Sequence, residues 1–153
     1  MQAERSTQSL RANFRSHPNE TADHAKKFKT DPGEEHIARV RRICMALPET
    51  TEKISHGEPT FFVRKRVYCM VSNNHHNDGH IAAMVPTGPG LQATLLKTSP
   101  EKYYYPPYVG VSGWIGIELA CISDEDLAAH LLDAWRIIEA KQRPKSRSAA
   151  RRS

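Results

Sequence analysis

Two stretches with a helical apolar period bracket the middle of this chain, and they restrict what the rest can become. Ile37, Val40, Cys44 and Leu47 recur at steps of three and four residues. Leu127, Leu131, Ala134, Trp135 and Ile138 do the same near the other end. Between them lie short runs rich in β-branched and aromatic residues, each bounded by turn residues. They are Thr60–Val63, Val67–Val71, His80–Val85, a run over 101–105, and Trp114–Leu119. Runs this short bury their apolar side chains only as strands of a sheet. The two helical stripes are its natural cover. The expectation is an α+β fold, an antiparallel sheet of about five strands with N- and C-terminal helices packed on it, in the order α-β-β-β-α-β-β-α.

Local signals set the boundaries. Asp31 suits an N-cap, Pro32 the first helical position, and Glu34 completes a capping box. Arg39, Arg41 and Arg42 lie off the apolar stripe and are expected to face solvent. Pro48 disfavours helical geometry at Leu47 and ends that helix. Residues 49–58 read as a polar connection. Arg64-Lys65-Arg66 reads as the turn of a hairpin. Asn77-Asp78-Gly79 supplies the positive φ of a second reversal. Leu91, Leu95 and Leu96 fit a short helix that Pro100 stops. Ser123 caps the last helix, whose first turn carries Asp124, Glu125 and Asp126.

Charge divides the chain more sharply than hydropathy. The formal charge is +3 over residues 1–30, −2 over 31–143 and +4 over 144–153. Both ends are polar and nearly free of large apolar residues. Residues 1–30 and 144–153 are therefore expected to be disordered basic extensions around one folded domain spanning 31–143. Basic arms hold polyanions weakly and with strong salt dependence, although solubility alone explains such arms. No apolar run is long enough to span a membrane, and no secretory apolar stretch opens the chain. The three cysteines, Cys44, Cys69 and Cys121, lack motif spacing. They read as reduced, mostly buried side chains of a cytoplasmic protein.

Few residues form a chemical constellation. His75, His76, Asp78 and His80 are metal-ligand types, but they surround a turn signal, so a polar hairpin tip is expected and no metal is assigned. His56 precedes a glycine and a strand, which places an imidazole where a small ligand could reach it. No nucleophile or orienting acid accompanies it, so no catalytic residue is assigned. Thr87-Gly88-Pro89-Gly90 lacks the lysine of a phosphate loop, and no cofactor is expected. Tyr103-Tyr104-Tyr105-Pro106-Pro107-Tyr108 joins aromatics to Lys102. Most of these tyrosines read as sheet packing, with Tyr108 the one open to a binding role.

Several segments together carry a family pattern. Cys44-Met45-Ala46-Leu47-Pro48-Glu49-Thr50 leads to His56-Gly57-Glu58-Pro59-Thr60-Phe61. Later come Pro107-Tyr108-Val109-Gly110 and Gly113-Trp114, then Ala134-Trp135-Arg136 in the closing helix. This order and spacing resembles the MmcQ/YjbR family of small bacterial proteins over residues 34–141. The resemblance implies a fold like the type III secretion chaperones. It also implies DNA binding through a double-wing arrangement of hairpins, and it transfers no catalytic residue.

The first expectation is a DNA-binding protein of low sequence specificity. Arg64, Lys65 and Arg66 form a basic wing that contacts phosphates, aided by Lys102 and the basic extensions. The second is a chaperone-like module for a protein or peptide, or a homodimer, anchored at Tyr108 and Trp114. The third is a small-ligand site around His56.

Overall fold

The computed structural model describes residues 31–144. The extensions expected over residues 1–30 and beyond Pro144 fall outside the described residues. Helix α1 spans Pro32–Met45 and buries Ile37, Val40 and Cys44. Its end tightens through Ala46 and Leu47 N–H groups donating to the Ile43 and Cys44 carbonyls at 3.3 and 2.9 Å. Pro48 then turns the chain into the sheet.

Six antiparallel strands follow, one more than the short apolar runs indicate. They are β1 (Thr50–Ser55), β2 (Glu58–Val63), β3 (Arg66–Asn73), β4 (Ile81–Pro86), β5 (Tyr103–Tyr104) and β6 (Trp114–Glu118). Their order across the sheet is β1-β2-β3-β4-β6-β5. The polar connection expected over 49–58 is in fact β1 and the turn after it. As an edge strand it needs little apolar content, and its one large apolar residue, Ile54, is 67% exposed. The turn signal was His56-Gly57. These residues take φ of 55° and 81°, as a two-residue type I′ hairpin requires.

The β2–β3 hairpin turns on Arg64 and Lys65, with Val63 paired to Arg66. Within it the register shifts, so Phe61 pairs with Cys69 but Phe62 with Val67. Tyr68 is the extra residue of a β-bulge. The bulge aims Tyr68 at α1, where its hydroxyl donates to the Cys44 carbonyl at 3.3 Å and meets Thr50 Oγ1 at 2.9 Å. Burial pushes the Tyr68 hydroxyl far above its usual range.

After β4 come helix α2 (Leu91–Thr98), β5, a turn at Gly110–Ser112, β6, and helix α3 (Asp124–Gln142). Ser123 caps α3 by accepting the Asp126 N–H at 3.1 Å. One face of the sheet presents Phe61, Cys69, Val71, Ala83, Val85, Ile115 and Ile117. They form one core with Ile37, Val40 and Cys44 of α1 and Leu127, Leu131, Ala134 and Ile138 of α3. Leu127 and Leu131 are fully buried, each stabilising the fold by about 2 kcal/mol through apolar burial. Trp135 is half-buried, and its Nε1–H donates to the Pro48 carbonyl at 2.9 Å. Cys44 and Cys69 are buried free thiols, whereas Cys121 is exposed, because the Leu119–Cys121 turn points it outward.

Arg39 does not face solvent. Its guanidinium donates to Asp124 at 2.7 Å and to the Leu119 and Ile122 carbonyls at 2.7 and 2.8 Å. It thereby fixes the start of α3 against α1. This hydrogen bond holds the Asp124 carboxyl below its usual pKa. Among the described residues no helix is long and apolar enough to cross a membrane.

Candidate nucleic-acid interface

The sheet has two chemically different ends. One end holds the β2–β3 turn, the close of β4 at Pro86, the start of β6 at Trp114 and the last turn of α3. The other holds His56, the turn over residues 74–79, and Lys102. Strand register assigns them: Glu118 pairs with Ala82, Ala82's strand pairs Ser72 with Ala82, and the Lys102 carbonyl accepts the Glu118 N–H.

At the first end, the basic triplet is exposed but not uniform. Arg64 takes φ of 57° and is held by Glu49 at 2.5 Å and Glu139 at 3.3 Å. The hydrogen bond from Arg64 to Glu49 raises the guanidinium pKa further. Glu139 also takes Arg143 at 3.1 Å. These four charges cancel. Lys65 and Arg66 make no ion pair among the described residues, and neither do Arg136 and Lys141 of α3.

Gln142 joins the turn to the helix. Its Nε2 donates to the Val63 carbonyl at 2.9 Å and its Oε1 accepts the Lys65 N–H at 3.3 Å. Lys65 and Arg66 therefore share one corner with Lys141. Three cations without ion pairs thus lie at this end of the domain, Lys65 and Arg66 on the turn and Lys141 on the side of α3 that lines a cavity with Ser112 and Gly113, although the folded part of the chain is slightly acidic as a whole. Lys141 carries no signal in sequence, because a cation in the last turn of a helix is expected from the helix dipole alone.

Beside that corner, two adjoining cavities of ≈ 250 and ≈ 440 Å³ share Thr87, Gly88 and Ile137. The smaller is lined by His130, Asp133 and Arg136, the larger by Gln92, Ser112, Gly113 and Lys141. Tyr103 and His130 Nε2 are 2.8 Å apart. Burial lowers the His130 pKa against the opposing pull of Asp133 and Asp126.

Lys102 does not join the triplet. It lies three strands across from β3 and near Ser72 in height, six residues along that strand from Arg66, a separation of more than ~20 Å. His56 is exposed on its hairpin turn at that far end and lines neither cavity. Tyr108 and Trp114 lie at the end with the triplet, so the structure does not bring His56 together with them. Tyr108 is 93% exposed, while Trp114 is half-buried in β6.

The histidine turn also divides. His75 Nδ1 lies 3.2 Å from Glu58 and His80 Nδ1 2.5 Å from Glu118, so the two rings engage different strands. Among the described residues no group of three or more His, Cys, Asp or Glu side chains is placed to hold a metal ion. His80 also stacks on the Tyr104 ring, with centroids 3.7 Å apart and planes 5° from parallel.

The residues of the sequence pattern are mostly those that set this geometry. Pro48 receives Trp135, Glu49 holds Arg64, Thr50 meets Tyr68, His56-Gly57 makes the first turn, and Gly110 lies under the Tyr105 ring. The YjbR family model matches residues 45–137. The chain belongs to the YjbR family. A comparison with curated proteins finds none that matches it. The YjbR match covers all six strands and both ends of the sheet, and leaves out α1 before Met45. It stops short of Lys141 and Gln142, so the corner's helical half lies partly beyond the YjbR span.

Proposed function

We propose that this YjbR protein binds DNA with little sequence preference, through the corner formed by the β2–β3 turn and the end of α3. The supporting observation is that Lys65, Arg66 and Lys141 lie at one end of the domain without ion-pair partners among the described residues, while Glu49 and Glu139 are occupied by Arg64 and Arg143. Exposed cations without partners are free to replace the counterions of phosphates, and such contacts position a protein on nucleic acid without reading its bases. Arg64 serves the same site by holding the turn against α3 and Glu49.

The binding surface faces away from His56 and Lys102. Helix α3 ends at this corner. The test is fluorescence-anisotropy binding of labelled DNA by the full chain and by a chain trimmed to residues 31–144, at low and physiological salt. The expected result is weaker but retained binding by the trimmed chain. Complete loss on trimming would assign the binding to the extensions alone.

A further inference from the structure

Tyr108 is the most exposed large apolar residue of the described chain, at 93%, and Val111 beside it is 82% exposed. Tyr108 also holds φ of 67°, a left-handed conformation that a bulky L-residue rarely adopts. The loop that imposes it is built firmly. Val109 N–H donates to the Pro107 carbonyl at 2.7 Å, and Gly110 N–H to the Pro106 carbonyl at 3.0 Å. Gln92 Nε2 donates to the Gly110 and Trp114 carbonyls at 2.7 and 2.6 Å. Pro106 is fully buried, and the Tyr105 ring occupies the space where a side chain at Gly110 would sit. Tyr105 is thus the support of the loop and Tyr108 its displayed residue. A strained backbone that presents an unpacked aromatic gains nothing from the fold itself.

The loop's surroundings indicate what the ring meets. Ser112 and Gly113, at the loop's end, line the larger cavity together with Lys141. Lys141 precedes Gln142, which holds Lys65. The displayed aromatic and the uncompensated cations therefore occupy one end of the domain. A displayed ring on the same end of the sheet as these cations, across β4 from the β2–β3 turn, matches an extended nucleic acid whose base faces are accessible. Duplex DNA keeps those faces stacked inside, whereas a single strand offers them.

We propose that Tyr108 is a base-stacking residue and that the preferred ligand is single-stranded nucleic acid. Its backbone lies along Lys65, Arg66 and Lys141 while a base stacks on the Tyr108 ring. This inference rests on the nucleic-acid reading above and narrows it.

The test uses the full chain, a labelled oligothymidylate of about 12 nucleotides and a blunt duplex of equal length. Affinities are compared for wild type, Tyr108→Phe and Tyr108→Gly. Glycine relieves the left-handed strain, so Tyr108→Gly is expected to fold with equal or higher thermal stability. Wild type is expected to prefer the single strand. Tyr108→Phe keeps that preference, and Tyr108→Gly loses about tenfold in single-strand affinity with duplex binding unchanged. Unchanged single-strand binding by Tyr108→Gly overturns the stacking role while the DNA reading stands. So does a wild-type preference for duplex. If wild type binds neither probe, both proposals fall, and Tyr108 with Val111 becomes an anchor for a protein partner.

Discussion

Gln142, in the last turn of α3, clasps Val63 and the turn that follows it, giving its Nε2 proton to the Val63 carbonyl at 2.9 Å. Its other amide atom accepts from Lys65. One side chain therefore fixes the basic turn against the helix that supplies Lys141. Gln142→Ala should destabilise the fold by about 1 kcal/mol, the net worth of a partly exposed pair of hydrogen bonds. It should also weaken DNA binding, because Lys65 and Lys141 lose their common frame. Urea unfolding and anisotropy binding on the same variant check both effects. Unchanged affinity would mean that the frame does not matter.

The basic triplet should not behave as three equal charges. Arg64 is committed to Glu49 and Glu139, while Lys65 and Arg66 are free. Replacing Lys65 and Arg66 by glutamine should lower the slope of log affinity against log salt by about 2. Arg64→Gln should change that slope by less than either single replacement, and its larger effect should be on the position of the turn. Salt titrations of the variants decide it, and a larger slope change from Arg64 would reverse the assignment.

Gly116 is required by contact. A Cβ built there would clash with the Tyr104 ring, which stacks with His80. Gly116→Ala must displace Tyr104 and break the stack. It should cost about 2 kcal/mol or more, as overpacking does. Denaturant unfolding measures the loss. A variant as stable as wild type would show that Tyr104 moves aside freely.

His130 should leave a trace in the pH dependence of stability. Burial lowers its native pKa below the unfolded value of 6.5, despite Asp133 and Asp126. The native state then binds fewer protons than the unfolded chain. Its contribution is complete above 6.5 and declines as pH falls through the native value. His36 shifts the same way, through burial and then Arg39. The stability gap between wild type and His130→Gln should therefore narrow on acidification from about pH 7.5 to 5.5, by at most ~1.4 kcal/mol per pH unit for one proton. A gap that widens with acid would contradict the sign.

The fold was legible where side chains pack. Ile37, Val40 and Cys44, then Leu127, Leu131, Ala134 and Ile138, show helical spacing in sequence and lie in the core. The Ser123 cap and the turn at Arg64 and Lys65 also follow from local chemistry. Strand β1 was not legible, because an edge strand is stabilised by backbone pairing rather than by an apolar pattern. The bulge at Tyr68 leaves no mark in composition, since Tyr68 and Cys69 look like ordinary alternating residues. The role of Arg39 was hidden for another reason. Its carbonyl and carboxylate partners lie some eighty residues away, at Leu119, Ile122 and Asp124. The candidate site was half visible. Its turn stands out as a charge run, but the distinction between committed Arg64 and free Lys65 depends on Glu49 and Glu139, and the contribution of Lys141 depends on Gln142.

The most direct measurement is amide NMR chemical-shift mapping of the full chain as short DNA, single-stranded and then duplex, is added. The account expects perturbations over residues 64–66, 108–113 and 136–143, with residues around His56, His75 and Lys102 unmoved. Perturbations centred on that opposite end, or none in residues 31–144, would contradict it.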